Sequence, residues 1–103
     1  MADFTNNSHV PQNKKAIFAF VVPDSKKVWI GTTIDATRRL ELVRAHNNRT
    51  RSTRKFPLAL QPYIHPNVQL RFFIERRFST ERLQELKTLL REAGYLVNTG
   101  RFG

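Results

Sequence analysis

Three apolar segments of the chain predict β-strands. The run from Lys15 to Val22 ends at Pro23-Asp24-Ser25, which is typical of a turn, and Lys26 to Ile30 follows as a second strand that ends at Gly31. Two such runs with a short turn between them predict an antiparallel hairpin. The first run alternates too little for a half-solvated strand, so we expect both of its faces to be covered. Val68 to Ile74 alternates with period two and predicts the third strand.

Two other segments have the spacing of helices. Residues 35–46 follow several possible N-caps, and their apolar side chains fall on one side at 100° per residue. A second helix is predicted to begin after Ser79, which can cap it, and to end at Gly94. The proline-bounded segment 56–64 predicts one or two short helical turns. The predicted order is therefore β-β-α-(short α)-β-α.

This order predicts an α/β (α+β) domain with a small central antiparallel three-stranded sheet flanked by helices. The chain has 103 residues, which is enough for one domain. Residues 1–13 are polar and predict a flexible N-terminal tail, and residues 14–103 are predicted to form a single domain. Within it, Tyr95 to Gly103 is predicted to be a second tail.

The amino-acid composition, above all its positive charge, limits the classes of function and of partner that fit the chain. Lysine and arginine number 18 against 8 acidic residues, so the formal net charge is +10, which favours a polyanionic partner, most often nucleic acid. The chain contains no cysteine, which excludes disulfides and thiolate metal sites. The longest apolar run, Ala16 to Val22, is too short for a membrane span, and no secretion signal is recognisable. We therefore expect a cytoplasmic protein that is neither secreted nor bound to a membrane.

Part of this charge lies between residues 44 and 55, where no acidic residue occurs. Arginine is suited to phosphate because its planar guanidinium donates two parallel hydrogen bonds. A solvated loop that only keeps the protein in solution is the alternative interpretation. The basic residues predicted to bind nucleic acid are Lys27, Arg38, Arg44, Arg49, Arg51, Arg54 and Lys55.

Two short motifs give the pattern a family resemblance. The motif Ala16-Ile17-Phe18 is followed by Trp29-Ile30-Gly31, with Trp29 eleven positions after Phe18, and Arg39 lies eight positions beyond Gly31. Together with Glu85 and, 13 residues later, Asn98, this set resembles the GIY-YIG nuclease superfamily over about residues 15–98. The resemblance implies a metal-dependent nuclease with the predicted order of elements. Arg39 would stabilise the phosphate, Glu85 would hold Mg²⁺, and Asn98 would support the site and the bound nucleic acid.

The chain departs from this family at both tyrosine positions. Phe18 and Trp29 occupy them, and neither side chain can accept a proton. His46, seven residues after Arg39 on the same border of the predicted helix, is the remaining candidate for a general base. Ordinary roles stay open for the whole set. The two aromatic residues fit a core, Glu85 fits a surface ion pair with Arg82 or Lys87, His46 fits a surface position, and Gly31 fits a strand end.

Three functions are consistent with these residues. The first is a small Mg²⁺-dependent endonuclease that hydrolyses DNA, with DNA favoured over RNA and a protein partner as one source of specificity. The second is a GIY-YIG-like domain that has lost catalysis and binds DNA or RNA, alone or in a ribonucleoprotein. The third is a basic protein that binds and inhibits an enzyme.

Overall fold

The fold was determined as a computed structural model, which describes residues 1–48 and 55–100. It is a mixed α+β fold in which one five-stranded sheet is covered on each face by one long helix. In chain order, the elements are β1 (Ala2–Asp3), β2 (Gln12–Val22), β3 (Lys27–Asp35), α1 (Ala36–Asn47), β4 (Arg71–Glu75), α2 (Thr80–Glu92) and β5 (Leu96–Asn98). Short 3₁₀ turns lie at Pro23–Ser25 and Gln61–Tyr63.

The sheet has the strand order β1-β4-β2-β3-β5. The strand β2 lies at its centre and pairs antiparallel with both β3 and β4, so the predicted hairpin is confirmed. The prediction of three strands is wrong, because β1 adds to the edge at β4 and β5 adds in parallel to β3. The predicted tail after Tyr95 accordingly contains β5.

The N-terminal segment packs against the sheet, which differs from the predicted flexible tail over residues 1–13. The backbone N–H of Phe4 donates to the carbonyl of Phe72 over 2.8 Å, and the Phe4 side chain is only 6% exposed. The hydroxyl of Thr5 accepts a hydrogen bond from the N–H of Phe72 over 2.8 Å. The prediction missed this because the few apolar side chains that anchor the segment are isolated among polar ones.

Asp3 adds an electrostatic contact to this edge of the sheet. Partial burial raises the pKa of its carboxyl, but hydrogen bonds from Thr5 and the charge of Arg71 outweigh this and hold the pKa below its ordinary value of 3.8. The Arg71 guanidinium forms an ion pair with Asp3, which joins β1 to β4. This side of the sheet is therefore held by backbone, hydroxyl and ionic contacts together.

The sheet has a core on each face, as the weak alternation of β2 predicted. Even-numbered residues from Ala16 to Val22 face α1, and odd-numbered ones from Ile17 to Val21 face α2. The core beneath α1 is rich in aromatic residues. Phe18, Phe20 and Phe72 lie with ring centroids 5.2 to 6.0 Å apart. Such contacts add a specific geometry to the burial of large apolar area.

Both helices begin with a side-chain cap, as predicted. The Asp35 carboxylate accepts from the N–H of Arg38 over 3.2 Å, and the Ser79 hydroxyl accepts from the N–H of Arg82 over 3.0 Å. Gln12, at the start of β2, also accepts from the N–H of Ala36 over 2.9 Å, so α1 is anchored to the sheet at its first turn. Gly94 follows α2 with a positive φ of 92°, a conformation that favours glycine at a helix end.

The C-terminal end of α1 is tied to the segment before β4. The Asn47 side chain donates to the carbonyl of Leu70 over 3.0 Å and accepts from the N–H of Leu70 over 2.9 Å. Because Leu70 is buried, these bonds satisfy backbone groups that water does not reach.

Within residues 1–48 and 55–100, neither helix is long and apolar enough to cross a lipid bilayer.

Candidate functional site

A groove lies at the edge of β3, where residues from both helices meet. Within the described residues, β5 pairs with β3 only as far as Trp29 and Asn98, so the pairing stops midway along β3. The groove that follows, which we name the β3 groove, has a volume of about 490 Å³. Its described lining comprises Trp29 to Thr32 of β3, Arg39 of α1, Leu83 and Lys87 of α2, and Thr99 and Gly100 beyond β5.

Arg39 lines this groove, consistent with its candidate role. Its guanidinium carbon lies 6.0 Å from the centroid of the Phe18 ring. Burial, followed by the neighbouring charge of Arg38, lowers the pKa of Arg39 below its ordinary value, while Asp35 opposes the change. A partly desolvated guanidinium interacts more strongly with an anion than a fully hydrated one does, because the local dielectric constant is lower. Arg39 therefore presents a partly desolvated positive charge to the β3 groove.

The helix α2 presents a lysine to the β3 groove, and Glu85 lies elsewhere. Leu83 and Lys87 are one helical turn apart, so they lie on the same face, and Glu85 is rotated about 200° from each of them. The Glu85 side chain is 61% exposed and accepts a hydrogen bond from the Arg82 guanidinium over 2.9 Å. The ion pair with Arg82, one of the ordinary roles considered, is therefore present.

These residues do not fit the Mg²⁺ site that the family resemblance implies. No acidic residue is among the described lining of the β3 groove. The residues that α2 contributes to this lining are Leu83, which is apolar, and Lys87, which is cationic. Across residues 1–48 and 55–100, no group of three or more histidine, aspartate or glutamate side chains is placed to hold a metal ion. The described lining of the β3 groove therefore lacks the oxygen ligands that Mg²⁺ prefers.

Phe18 and Trp29 serve as core residues at the base of the β3 groove. Phe18 is 0% exposed and Trp29 is 5% exposed, with their ring centroids 5.5 Å apart. Trp29 forms part of the wall of the groove, whereas Phe18 lies behind it against Arg39. Their role in this structure is to support the groove, and neither has a group that could transfer a proton.

The indole ring of Trp29 explains why a glycine stands at position 31. A Cβ atom at this position would lie 2.7 Å from both Cη2 and Cζ3 of the indole, which is closer than such atoms approach. The indole therefore occupies the space that any larger residue would need. A close approach of a phosphate to the backbone, the functional role considered for this glycine, is not required to explain it.

We expect Gly31→Ala to lower the free energy of unfolding by about 1–3 kcal/mol, because the added methyl group overpacks a rigid, buried ring. Urea denaturation of the wild type and the variant measures this difference. The same substitution in a Trp29→Leu background is the matched control and should cost less, since the clashing carbons are then absent. Unchanged stability together with weaker nucleic-acid binding would support the phosphate-approach role instead.

His46 is not at the groove, so its prediction as a base is wrong for this arrangement. The side chain is 4% exposed, and its Nε2 lies 2.8 Å from the carbonyl oxygen of Val68. Because a carbonyl oxygen only accepts, Nε2 carries the proton and donates it. The ring also packs edge-on against Phe56. His46 thus joins α1 to the segment before β4, and its alternative interpretation as a surface histidine is also wrong.

The other candidate nucleic-acid-binding residues are spread over the domain. Lys27 is half-buried, with its Nζ 4.6 Å from the centroid of the Tyr63 ring, and Asn98 lies opposite Trp29 at the end of the pairing between β3 and β5. Three of the basic candidates are exposed, namely Arg38, Arg44 and Lys55. The other three, Arg49, Arg51 and Arg54, lie outside the described residues.

Comparison of the chain with protein families, with curated proteins and with solved structures finds no match. The GIY-YIG resemblance accordingly rests on the motifs and on the order of elements, and it stays a prediction. The site residue that the sequence reasoning missed is Lys87. Its spacing of four residues from Leu83, which belongs to the apolar stripe of α2, was the available signal.

Proposed function

We propose that this protein binds the phosphodiester backbone of nucleic acid in the β3 groove, as a GIY-YIG-like domain that has lost catalysis. One observation carries the proposal. Arg39 and Lys87 come from helices on opposite faces of the sheet and line the same groove, while none of its described lining residues is acidic. Two cations from different helices that line one groove are suited to an anion.

The chemistry of the groove favours phosphate among anions. The Arg39 guanidinium can donate two parallel hydrogen bonds to non-bridging oxygens, and the Lys87 ammonium supplies a compact charge. The N–H of Leu96 donates to the carbonyl of Lys26, so the even-numbered residues of β3 direct their backbone groups toward this edge. Thr32 therefore presents a neutral donor beside the two cations. The net charge of +10 raises the local concentration of a polyanion further.

The same groove favours contacts to the backbone over recognition of bases. Proteins that bind single strands stack bases on accessible aromatic side chains. The two aromatic residues at this groove, Trp29 and Phe18, are buried, so they offer no stacking surface. Contacts to phosphate fix position without reading sequence, and we therefore expect binding that is independent of sequence. DNA remains favoured over RNA, with a protein partner as one source of specificity.

The Mg²⁺-dependent endonuclease is the second candidate. The observation that favours it is the position of Arg39 in the same groove as Gly31, as the family motif requires. The placement of Glu85 and His46 argues against it, because neither side chain lines the groove with Arg39. Loss of general acid–base help alone is worth about 10²–10⁴-fold in rate.

One experiment separates the two candidates. The purified protein is incubated with supercoiled plasmid at low salt, with and without Mg²⁺, beside Arg39→Ala and Glu85→Ala. The proposal expects a gel shift without cleavage, weakened by Arg39→Ala and retained by Glu85→Ala. Mg²⁺-dependent nicking that both variants abolish would establish the endonuclease. If the protein does not shift plasmid or RNA and instead captures a protein in stoichiometric amount after nuclease treatment, the inhibitor is favoured.

A further inference from the structure

Four exposed cations lie at the same end of the sheet as the β3 groove, and no function has yet been assigned to them. The pairings of Ile17 with Thr32 and of Ile17 with Glu75 place three residues in one row across β3, β2 and β4. The four cations extend past this row at the ends of β2 and β4. They are Lys14, Lys15, Arg76 and Arg77, which we name the sheet-end patch.

A bulge in β2 produces half of this patch. Gln12 pairs with Asp35 and Ala16 pairs with Thr33, so three residues of β2 stand opposite one residue of β3. Asn13, the first of the three, has a positive φ of 62°, which turns the chain. Bulges redirect side chains and are frequent beside functional sites. Here the bulge takes Lys14 and Lys15 out of the regular pairing and leaves both exposed.

Aromatic rings and an ion pair support the rest of the patch. The Lys15 ammonium lies 4.4 Å from the centroid of Phe78, and the Arg76 guanidinium lies 5.6 Å from the centroid of Phe4. Such rings hold a cation in place while leaving it accessible. The adjacent carboxylate of Glu75 is already occupied, because Arg82 donates to it over 3.0 Å and the N-terminal ammonium lies 3.9 Å away. The patch therefore keeps its positive charge.

The acidic groups at this end do not cancel that charge. The Asp35 carboxylate accepts the N–H of Arg38 at the start of α1, and Glu81 lies in the first turn of α2, where an acidic side chain offsets the helix dipole. Together with Glu75 and Glu85, which both bond the Arg82 guanidinium, they are four carboxylates, and Arg82 offsets one of them. The groove and the patch contribute six cations. These six cations therefore outnumber the carboxylates beside them.

We infer that the sheet-end patch continues the β3 groove, so that a nucleic-acid backbone crosses the end of the sheet and contacts both. The inference rests on the proposed function and names the path of the ligand. Neighbouring strands are about 4.8 Å apart, so β3 and β4 are separated by about 10 Å, and long side chains extend the basic surface beyond that. A single phosphate cannot span this distance, whereas successive phosphates of one polynucleotide can. The ligand is therefore a polynucleotide rather than a mononucleotide.

The test uses a labelled 20-base-pair DNA duplex and measures affinity as a function of salt concentration. Lys14→Gln with Lys15→Gln and, separately, Arg76→Gln with Arg77→Gln remove two cations each. Each neutralised phosphate contributes about 0.9 to the slope of log affinity against log salt. We expect each double variant to lower the magnitude of the slope by up to about 1.8, which corresponds to about 60-fold weaker binding at about 0.1 M salt.

The opposite end of the domain provides a control of equal charge. Lys26 follows the turn between β2 and β3, and its ammonium lies beside Gly94, just beyond the last turn of α2, which contains Arg91. Lys26→Gln with Arg91→Gln also reduces the net charge by two, and we expect the wild-type slope. If the patch variants match this control while the wild type binds, the inferred path is wrong and the proposed function stands. If the wild type does not bind the duplex or an RNA of similar length, both are wrong. Equal thermal midpoints show that the variants are folded.

Discussion

Phe18→Ala is expected to lower the free energy of unfolding by about 3–5 kcal/mol, the largest effect of any substitution considered. The ring is completely buried and contacts Phe20, Trp29 and Phe72, so truncation removes apolar contacts and leaves a cavity. The surrounding rings belong to three different strands, which limits how far they can collapse into the space. Urea denaturation followed by circular dichroism measures the change.

Leu58→Ala is the matched control, because that side chain is exposed and its loss should alter the unfolding free energy by less than about 0.5 kcal/mol. The comparison also tests the role of Phe18. If Phe18→Ala unfolds at the same urea concentration as the control but no longer binds nucleic acid, Phe18 contacts the ligand and the core assignment is wrong.

The double variant Arg39→Gln and Lys87→Gln is expected to bind a DNA duplex about 60-fold more weakly than the wild type at about 0.1 M salt, because two phosphate contacts are lost. The salt slope should fall in magnitude by about 1.8. Glutamine preserves much of the length and polarity of both side chains, so the change reports mainly on charge. Fluorescence anisotropy over a series of salt concentrations measures the affinity and the slope together.

The pair Lys26→Gln and Arg91→Gln serves as the control of equal net charge. If both pairs weaken binding to the same extent, the overall charge of the protein drives association and the β3 groove has no special role. A slope unchanged by Arg39→Gln and Lys87→Gln, with binding intact, would show that neither side chain meets a phosphate.

The sequence predicted the elements that carry their own periodic or apolar signal. The strands β2, β3 and β4 have apolar runs or alternation, and both helices have capping residues and helical spacing. The short strands β1 and β5 have two and three residues, too few for any pattern. They form because the edges of the sheet are available to pair, which depends on the assembled fold and is not visible in a local window.

The candidate site, like the fold, was predicted from the sequence only in part. Arg39 was predicted from the family resemblance by its spacing from Gly31. Both residues line the β3 groove because they lie on consecutive elements, and the role of Arg39 stays a prediction. Glu85 was misplaced because the rotation of α2 about its own axis is set by the side chains it buries. Leu86 packs against the second core, which directs Leu83 and Lys87 toward the groove and Glu85 toward solvent. The sequence spacing identifies an acidic residue on α2 but does not show which face of the helix that residue occupies.

Trp29 is the only tryptophan in the chain, and its indole forms part of the wall of the β3 groove. The intrinsic fluorescence of the protein therefore comes chiefly from one ring at the proposed binding surface. A ligand that enters the groove changes the polarity around this ring and alters its emission. Unmodified nucleic acid can thus be titrated into unlabelled protein, and the signal distinguishes occupation of the groove from attachment to charged surfaces elsewhere on the domain.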